Sequence, residues 1–192
     1  KIVGIAIPII IGSEIMPIMT LIDTGIIMTR LQATGWSYEE AKTLYGLLSG
    51  FCNSLIAFPQ VFTQAVAVSL VPAIAAAFKV HNRQGVQENI QLGYRTTMIM
   101  AFPCAFGIFA LAEPIMILLY SDQKASAIAA VPTLMIMAIS VIFLAITQTS
   151  VGVLQSIGKQ MLPVIHLAIG CVGKVILTFI LVGIHDINIK GA

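Results

Sequence analysis

The sequence predicts an all-α, polytopic transmembrane helix bundle, and three observations carry that prediction. Of 192 residues, 58% are hydrophobic and only 9% are charged, where a soluble domain carries about 25%. Mean hydropathy is +1.00. Five stretches approach or exceed the roughly 20 apolar residues that a bilayer-crossing helix needs, and none alternates in polarity over about ten residues as a barrel strand would. So few charges cannot cover a soluble surface. An ordinary cytosolic enzyme, a disordered tail and a disulfide scaffold are thereby excluded. A formal net charge of +2 is too small for a nucleic-acid binder.

The first span is expected over 2–29. The second occupies 38–79, with its apolar part over 47–78. Ser37 and Glu40 stand three apart, the spacing of a capping box, so this helix starts at Tyr38. Trp36, Tyr38 and Tyr45 suit an interfacial aromatic belt, and Tyr120 marks a similar boundary. The third span is expected over 92–119, after the polar segment "KVHNRQGVQENIQ", which suits a short surface helix. The fourth covers 126–154 and the fifth 161–184. The connections are short, so consecutive spans are antiparallel neighbours. All eight prolines lie in or beside spans. Each internal one frees a carbonyl and bends its helix, which fits moving helices better than a rigid anchor. The first apolar run exceeds a signal-peptide core in length. "DINIKGA" breaks off where another helix would begin, so the chain is expected to be a piece of a larger transporter, lacking both ends.

Polar residues inside the spans are the functional candidates. In the second span Ser49, Asn53, Gln60 and Gln64 are 4, 7 and 4 apart. At about 100° per residue they share one narrow face, with Thr63 beside it. Amides facing lipid are costly. The stripe therefore lines a water-filled cavity or makes interhelical hydrogen bonds. In the fourth span Thr133, Ser140 and Thr147, with Gln148 adjacent, form a weaker stripe whose hydroxyls can bond their own helix. The fifth reads His166, Gly170, Lys174 and Thr178 in steps of four. The first carries Ser13, Pro17, Thr20 and Thr24, with Asp23 next to them. Ionisable residues weigh most, because a charge inside the bilayer faces a cavity or a partner. Glu14 and Asp23 lie in the first span and Lys174 near the middle of the fifth. Arg95 sits one turn inside the third, within snorkelling reach of the headgroups. Asp23 and Lys174 are the leading candidates, and Lys174 is a candidate partner for Asp23.

No enzyme is indicated. There is no GxSxG, HExxH or P-loop. His81, His166 and His185 share no ligand spacing, and Cys52, Cys104 and Cys171 read as small apolar packers. Neither a metal nor a cofactor is expected. Lysine and arginine counts on the two sides are nearly balanced. The cluster of Lys79, His81, Arg83 and Arg95 favours the cytoplasm for its loop.

The segments "IPIIIGSEIMPIMTLIDTGIIMTRL", "LYGLLSGFCNSLIAFPQVFTQAVAVSLVPAIAAAF" and "IFALAEPIMILLY" give the chain a further reading. In their order and spacing they resemble the polysaccharide-exporter branch of the MATE-like flippase superfamily. The nearest group is that of stage V sporulation protein B, related to the lipid II flippases. The resemblance implies a protein of about 12 to 14 helices in two bundles, built from internal repeats, of which this chain is the start of the second. It also implies a multi-pass protein of the bacterial cytoplasmic membrane that moves a lipid-linked oligosaccharide or peptidoglycan precursor to the outer leaflet by alternating access. The partners it implies are that lipid-linked sugar, membrane lipids and a coupling ion, Na+ or H+. Cavity arginines or lysines hold the cargo's pyrophosphate in such proteins. Here only Arg95 and Lys174 lie well inside spans, so the main phosphate-binding cations are expected in the first bundle, or the cargo differs. Asp23, Glu14, Asn53, Gln60, Gln64, Arg95, His166 and Lys174 are the candidate substrate or ion residues. Two other readings stay open: a cation-coupled multidrug antiporter, which Glu14 and Asp23 suit, and a non-transporting scaffold for polysaccharide synthesis.

Overall fold

A computed structural model describes the backbone of residues 2–33 and 35–182 and the side chains of 17–33 and 35–182. Ser13, Glu14, His185 and the last two residues of the expected fifth span lie outside the described side chains. Every described element is helical. In chain order they are α1 (Ile2–Ala33), α2 (Tyr38–Gly46), a π-helical turn (Leu47–Cys52), α3 (Asn53–Lys79), α4 (Arg83–Ala110), α5 (Ala112–Leu119), a 3-10 turn (Ser121–Gln123), α6 (Lys124–Ser156) and α7 (Met161–Leu181). Among the described residues, Tyr38–Lys79, Ser121–Ser156 and Met161–Leu181 are long and apolar enough to cross a membrane. α4 and α5 together make a fourth, bent by 77°.

That bend breaks the single third span expected over 92–119 into two helices, and proline explains it. Pro114 has no N–H to give to the carbonyl four residues back, and its ring crowds that group. The carbonyl belongs to Ala110, the residue at which α4 ends. The chain restarts after Leu111, whose own carbonyl accepts from Ile115 at 2.9 Å. At its other end α4 begins at Arg83, nine residues before the expected start. The Asn82 side chain caps it, accepting from the Gly85 N–H at 2.9 Å. Hydropathy marks where lipid begins, not where helical hydrogen bonding begins.

The chain divides into two compact units, Lys1–Ser49 with Gln160–Ala192, and Gly50–Lys159. In the first, α1, α2 and α7 meet around Ile27, Leu31, Ala41 and Val182, with Trp36, Leu44 and Tyr45 packed against them. The turn into α2 uses Gly35 at φ 98°, a left-handed conformation that costs glycine little. The capping box forms as the sequence predicts. Ser37 Oγ accepts from the Glu40 N–H, and the Ser37 N–H donates to Glu40 Oε2 at 2.9 Å. Ser37→Ala should therefore cost about 1 kcal/mol, read as faster hydrogen exchange confined to the first turn of α2.

In the second unit α3, α4 and α6 pack through small residues. α4 presents Gly93, Thr97, Ala101 and Ala105. α6 presents Ala127, Ala130, Ala138, Ala145, Thr149 and Gly152 among others. Lipid tails are as apolar as leucine, so helices in a bilayer associate through close backbone approach and interhelical hydrogen bonds. Small residues four apart allow that approach. Large apolar side chains point outward instead, among them Phe58, Val68, Phe106, Leu118 and Phe143, as a lipid- or bundle-facing surface requires.

Candidate functional site

On α1 the buried residues Asp23, Ile27 and Leu31 recur every four positions. Asp23 is thus on the face that forms the first unit's core, and the helix period turns its carboxylate inward. Opposite it, Lys174 of α7 donates its ammonium to Asp23 Oδ2 in an ion pair. The pair is asymmetric: the aspartate side chain is 10% exposed and the lysine 53%. The second carboxylate oxygen, Oδ1, is buried without a hydrogen-bond partner.

Two further contacts fix this neighbourhood. The Thr24 hydroxyl donates to the Thr20 carbonyl at 2.7 Å. Its only hydrogen is then used, so the Tyr45 hydroxyl, 2.7 Å away, is the donor to Thr24 and ties α2 to α1. One turn past Ile27, Arg30 Nε donates to the Phe179 carbonyl at 3.0 Å. The same guanidinium lies 4.1 Å from the centre of the Phe179 ring. Asp23 meets Lys174 and Arg30 meets Phe179, so α1 and α7 run parallel. Within α7 only Thr178 is buried. Two polar clasps tie the helix to α1, with Val182 beyond its end.

The amide stripe of the second span lies elsewhere. The buried face of α3 is Ile56, Pro59, Thr63, Ala67, Leu70 and Ile74. Gln60 and Gln64 each follow a buried residue, and Asn53 follows the buried Cys52. A step of one residue is about 100° of rotation, so Asn53 and Gln64 are exposed and Gln60 is half-buried. The interhelical contact on α3 is made by Thr63, whose single hydroxyl hydrogen is shared between Gln148 Oε1 of α6 and the Gln60 carbonyl of its own helix, 3.0 Å away. Thr149 and Ser150, the next two residues of α6, bond to α4: Thr149 to Thr97 at 2.9 Å and Ser150 to Tyr94 at 2.7 Å. Ser140 and Thr147 bond carbonyls of their own helix, as expected of isolated hydroxyls.

Of the remaining candidates, Arg95 and His166 are exposed, and Glu14 lies outside the described side chains. Asp23 and Lys174 are the two that the structure brings together. Sequence reasoning missed the Thr97–Thr149 and Tyr94–Ser150 contacts. Their signal was present, as the four-residue repeat Gly93, Thr97, Ala101, Ala105. Among the described residues no three His, Cys, Asp or Glu side chains gather into a metal-holding group.

Long apolar helices packed through small residues, several of them able to cross a membrane, define a polytopic integral membrane protein. Comparison with known proteins narrows the class. The family model for the lipid II flippase MurJ matches residues 2–188, and the chain belongs to that family. It is 22% identical over 162 residues to the Lipid II flippase MurJ of Bacillus subtilis (strain 168), a match covering 84% of this chain and 30% of that protein. The chain thus spans under a third of the length of the curated relative it matches. No solved structure matches.

Proposed function

We propose that this chain forms part of the second helical bundle of a flippase that carries a lipid-linked peptidoglycan precursor across the cytoplasmic membrane by alternating access. Family membership supports the cargo class. The observation that carries the site is the Asp23–Lys174 pair. A buried carboxylate in an apolar helix is expensive, and a purely structural contact between two spans has no need of one. Coupling to a proton or Na+ belongs to the same reading, with the unpartnered Asp23 Oδ1 as the receiving atom. The protein acts as a transporter and not as an enzyme.

The amide stripe supplies the polar wall of the cavity. Asn53 and Gln64 are uncovered by this chain, and exposure of amides to hydrocarbon is unfavourable, so water or cargo faces them. Single cysteines at Asn53, Gln60 and Gln64 in the full-length protein should react with a hydrophilic maleimide. Cysteines at Ile56, buried against its own unit, and at Val66 should not. Equal protection at all five positions removes the cavity. The function itself is tested in proteoliposomes. Movement of labelled lipid II across the bilayer supports the flippase. Ethidium efflux without lipid movement assigns the antiporter, and neither activity points to the scaffold.

A further inference from the structure

Tyr38–Lys79 is long and apolar enough to be one span of 42 residues, yet it is not one α-helix. Leu47–Cys52 forms a π-helical turn between α2 and α3. In such a turn each N–H bonds the carbonyl five residues back instead of four. The turn coincides with the place where the chain leaves one compact unit for the other, between Ser49 and Gly50. Residues before it are held in the first unit: Leu44, Tyr45 and Leu48 pack against the core of Ile27, Leu31 and Ala41. Residues after it are held in the second. The Phe51 ring stacks on Tyr120, with centroids 4.1 Å apart, and Cys52 Sγ donates to the Ala130 carbonyl at 3.7 Å. Ser49 and Gly50 alone separate the two sets of anchors. The chain crosses back between Lys159 and Gln160, directly after Gly158 at φ 75°.

We infer that this π turn is a hinge on which the two units move during transport, an inference that rests on the alternating-access reading. Glycine serves no packing here. A Cβ added at Gly46 or Gly50 would meet nothing within 4 Å, in contrast to Gly93 and Gly152. What Gly50 contributes is backbone freedom at the turn, at a cost in helix stability. Hydroxyls cover the carbonyls that a changing register leaves open. Ser49 Oγ donates to the Tyr45 carbonyl at 2.8 Å, and Ser54 Oγ donates to the Gly50 carbonyl at 2.6 Å. Such back-bonds often bend helices. A hinge in lipid must also never bare an unbonded backbone group. A π turn meets that requirement by exchanging five-residue for four-residue hydrogen bonds, so the helix is redirected without being broken. In one state the turn is π and in the other it closes to α, and the two differ in helix direction.

The test uses the full-length protein in liposomes. Spin labels on ketone-bearing amino acids replace the exposed Lys42 and Ala65, so the native cysteines stay in place. Along a straight helix these positions are about 35 Å apart, within reach of pulsed electron resonance. The wild type should give two distances, with populations that lipid II changes. Gly46→Ala/Gly50→Ala should give one distance, near the straight-helix value, and slow the movement of labelled lipid II several-fold. It should also raise thermal stability, since alanine is the better helix former and nothing obstructs it. Ser49→Ala removes the cover of the Tyr45 carbonyl and should shift the populations the same way. Gly107→Ala, equally open in space but inside α4, should change neither distance nor rate. Distances that are the same in the wild type and the double variant would overturn the inference. So would full transport by a double variant held to one distance, which marks a purely structural turn. A wild type that moves no lipid II, yet shows two distances that collapse to one in the double variant, counts against the flippase reading and leaves the hinge standing.

Discussion

Asp23→Asn should abolish complementation of a flippase-depleted strain while the protein stays at wild-type abundance on an immunoblot. Lys174→Gln should do the opposite to abundance. The reasoning lies in the unequal burial of the pair, 10% for the aspartate and 53% for the lysine. Asparagine keeps the shape and hydrogen bonding of Asp23 and leaves only a half-exposed ammonium unpaired, which can turn to water or cargo. Glutamine at 174 instead strands a buried carboxylate whose Oδ1 already lacks a partner. An uncompensated buried charge costs on the order of 3 kcal/mol, a large part of a marginal stability. The double variant removes both charges and should recover abundance, since a missing pair is cheaper than a broken one. Transport should stay absent, because neither the counter-ion nor the cation remains. Wild-type growth with Asp23→Asn at normal abundance would falsify a transport role for this carboxylate.

The fold class was legible because membrane helices announce themselves by length and hydropathy. The start of α2 was legible as well, since Ser37 and Glu40 carry a local signal that needs no tertiary context. The break at Leu111 was not. Pro114 was visible, but membrane helices tolerate proline, and Pro59, Pro72, Pro103 and Pro132 do remain inside α3, α4 and α6. Only the surrounding packing decides which proline ends a helix. At the site, the helical period placed the amides of α3 on one face, but it could not say which neighbouring face the other helices would cover. That face is the one through Thr63, one residue before Gln64. The Asp23–Lys174 contact joins residues 151 positions apart. Their chemistry made each a candidate, and only the fold made them a pair.

Gly152→Leu should prevent assembly of the α3–α4–α6 unit, and Gly152→Ala should destabilise it by about 1–2 kcal/mol. Gly93→Ala should be far milder, although its clash is nominally worse. A Cβ on Gly93 would lie 2.2 Å from Leu70 Cδ1, but that atom is the tip of a leucine that can change rotamer. A Cβ on Gly152 would lie 2.9 Å from the carbonyl oxygen of Ala67 and 3.3 Å from its carbonyl carbon. Those are backbone atoms of α3, fixed by their own helical hydrogen bonds, so the two helices must move apart. Separation lengthens the Thr63–Gln148 bond, which joins the same two helices. Stretching buried polar contacts in an apolar medium adds to the steric cost. Alanine is the better helix former by up to about 1 kcal/mol, a gain that offsets the adjustment at position 93 and falls short at 152. For leucine at 152 the bulk exceeds any local relaxation, and a loss of about 3 kcal/mol or more is expected. Thermal midpoints from fluorescence-detected size exclusion measure this order. If Gly93→Ala proves more damaging than Gly152→Ala, then close approach of α3 and α6 is not what holds the unit together.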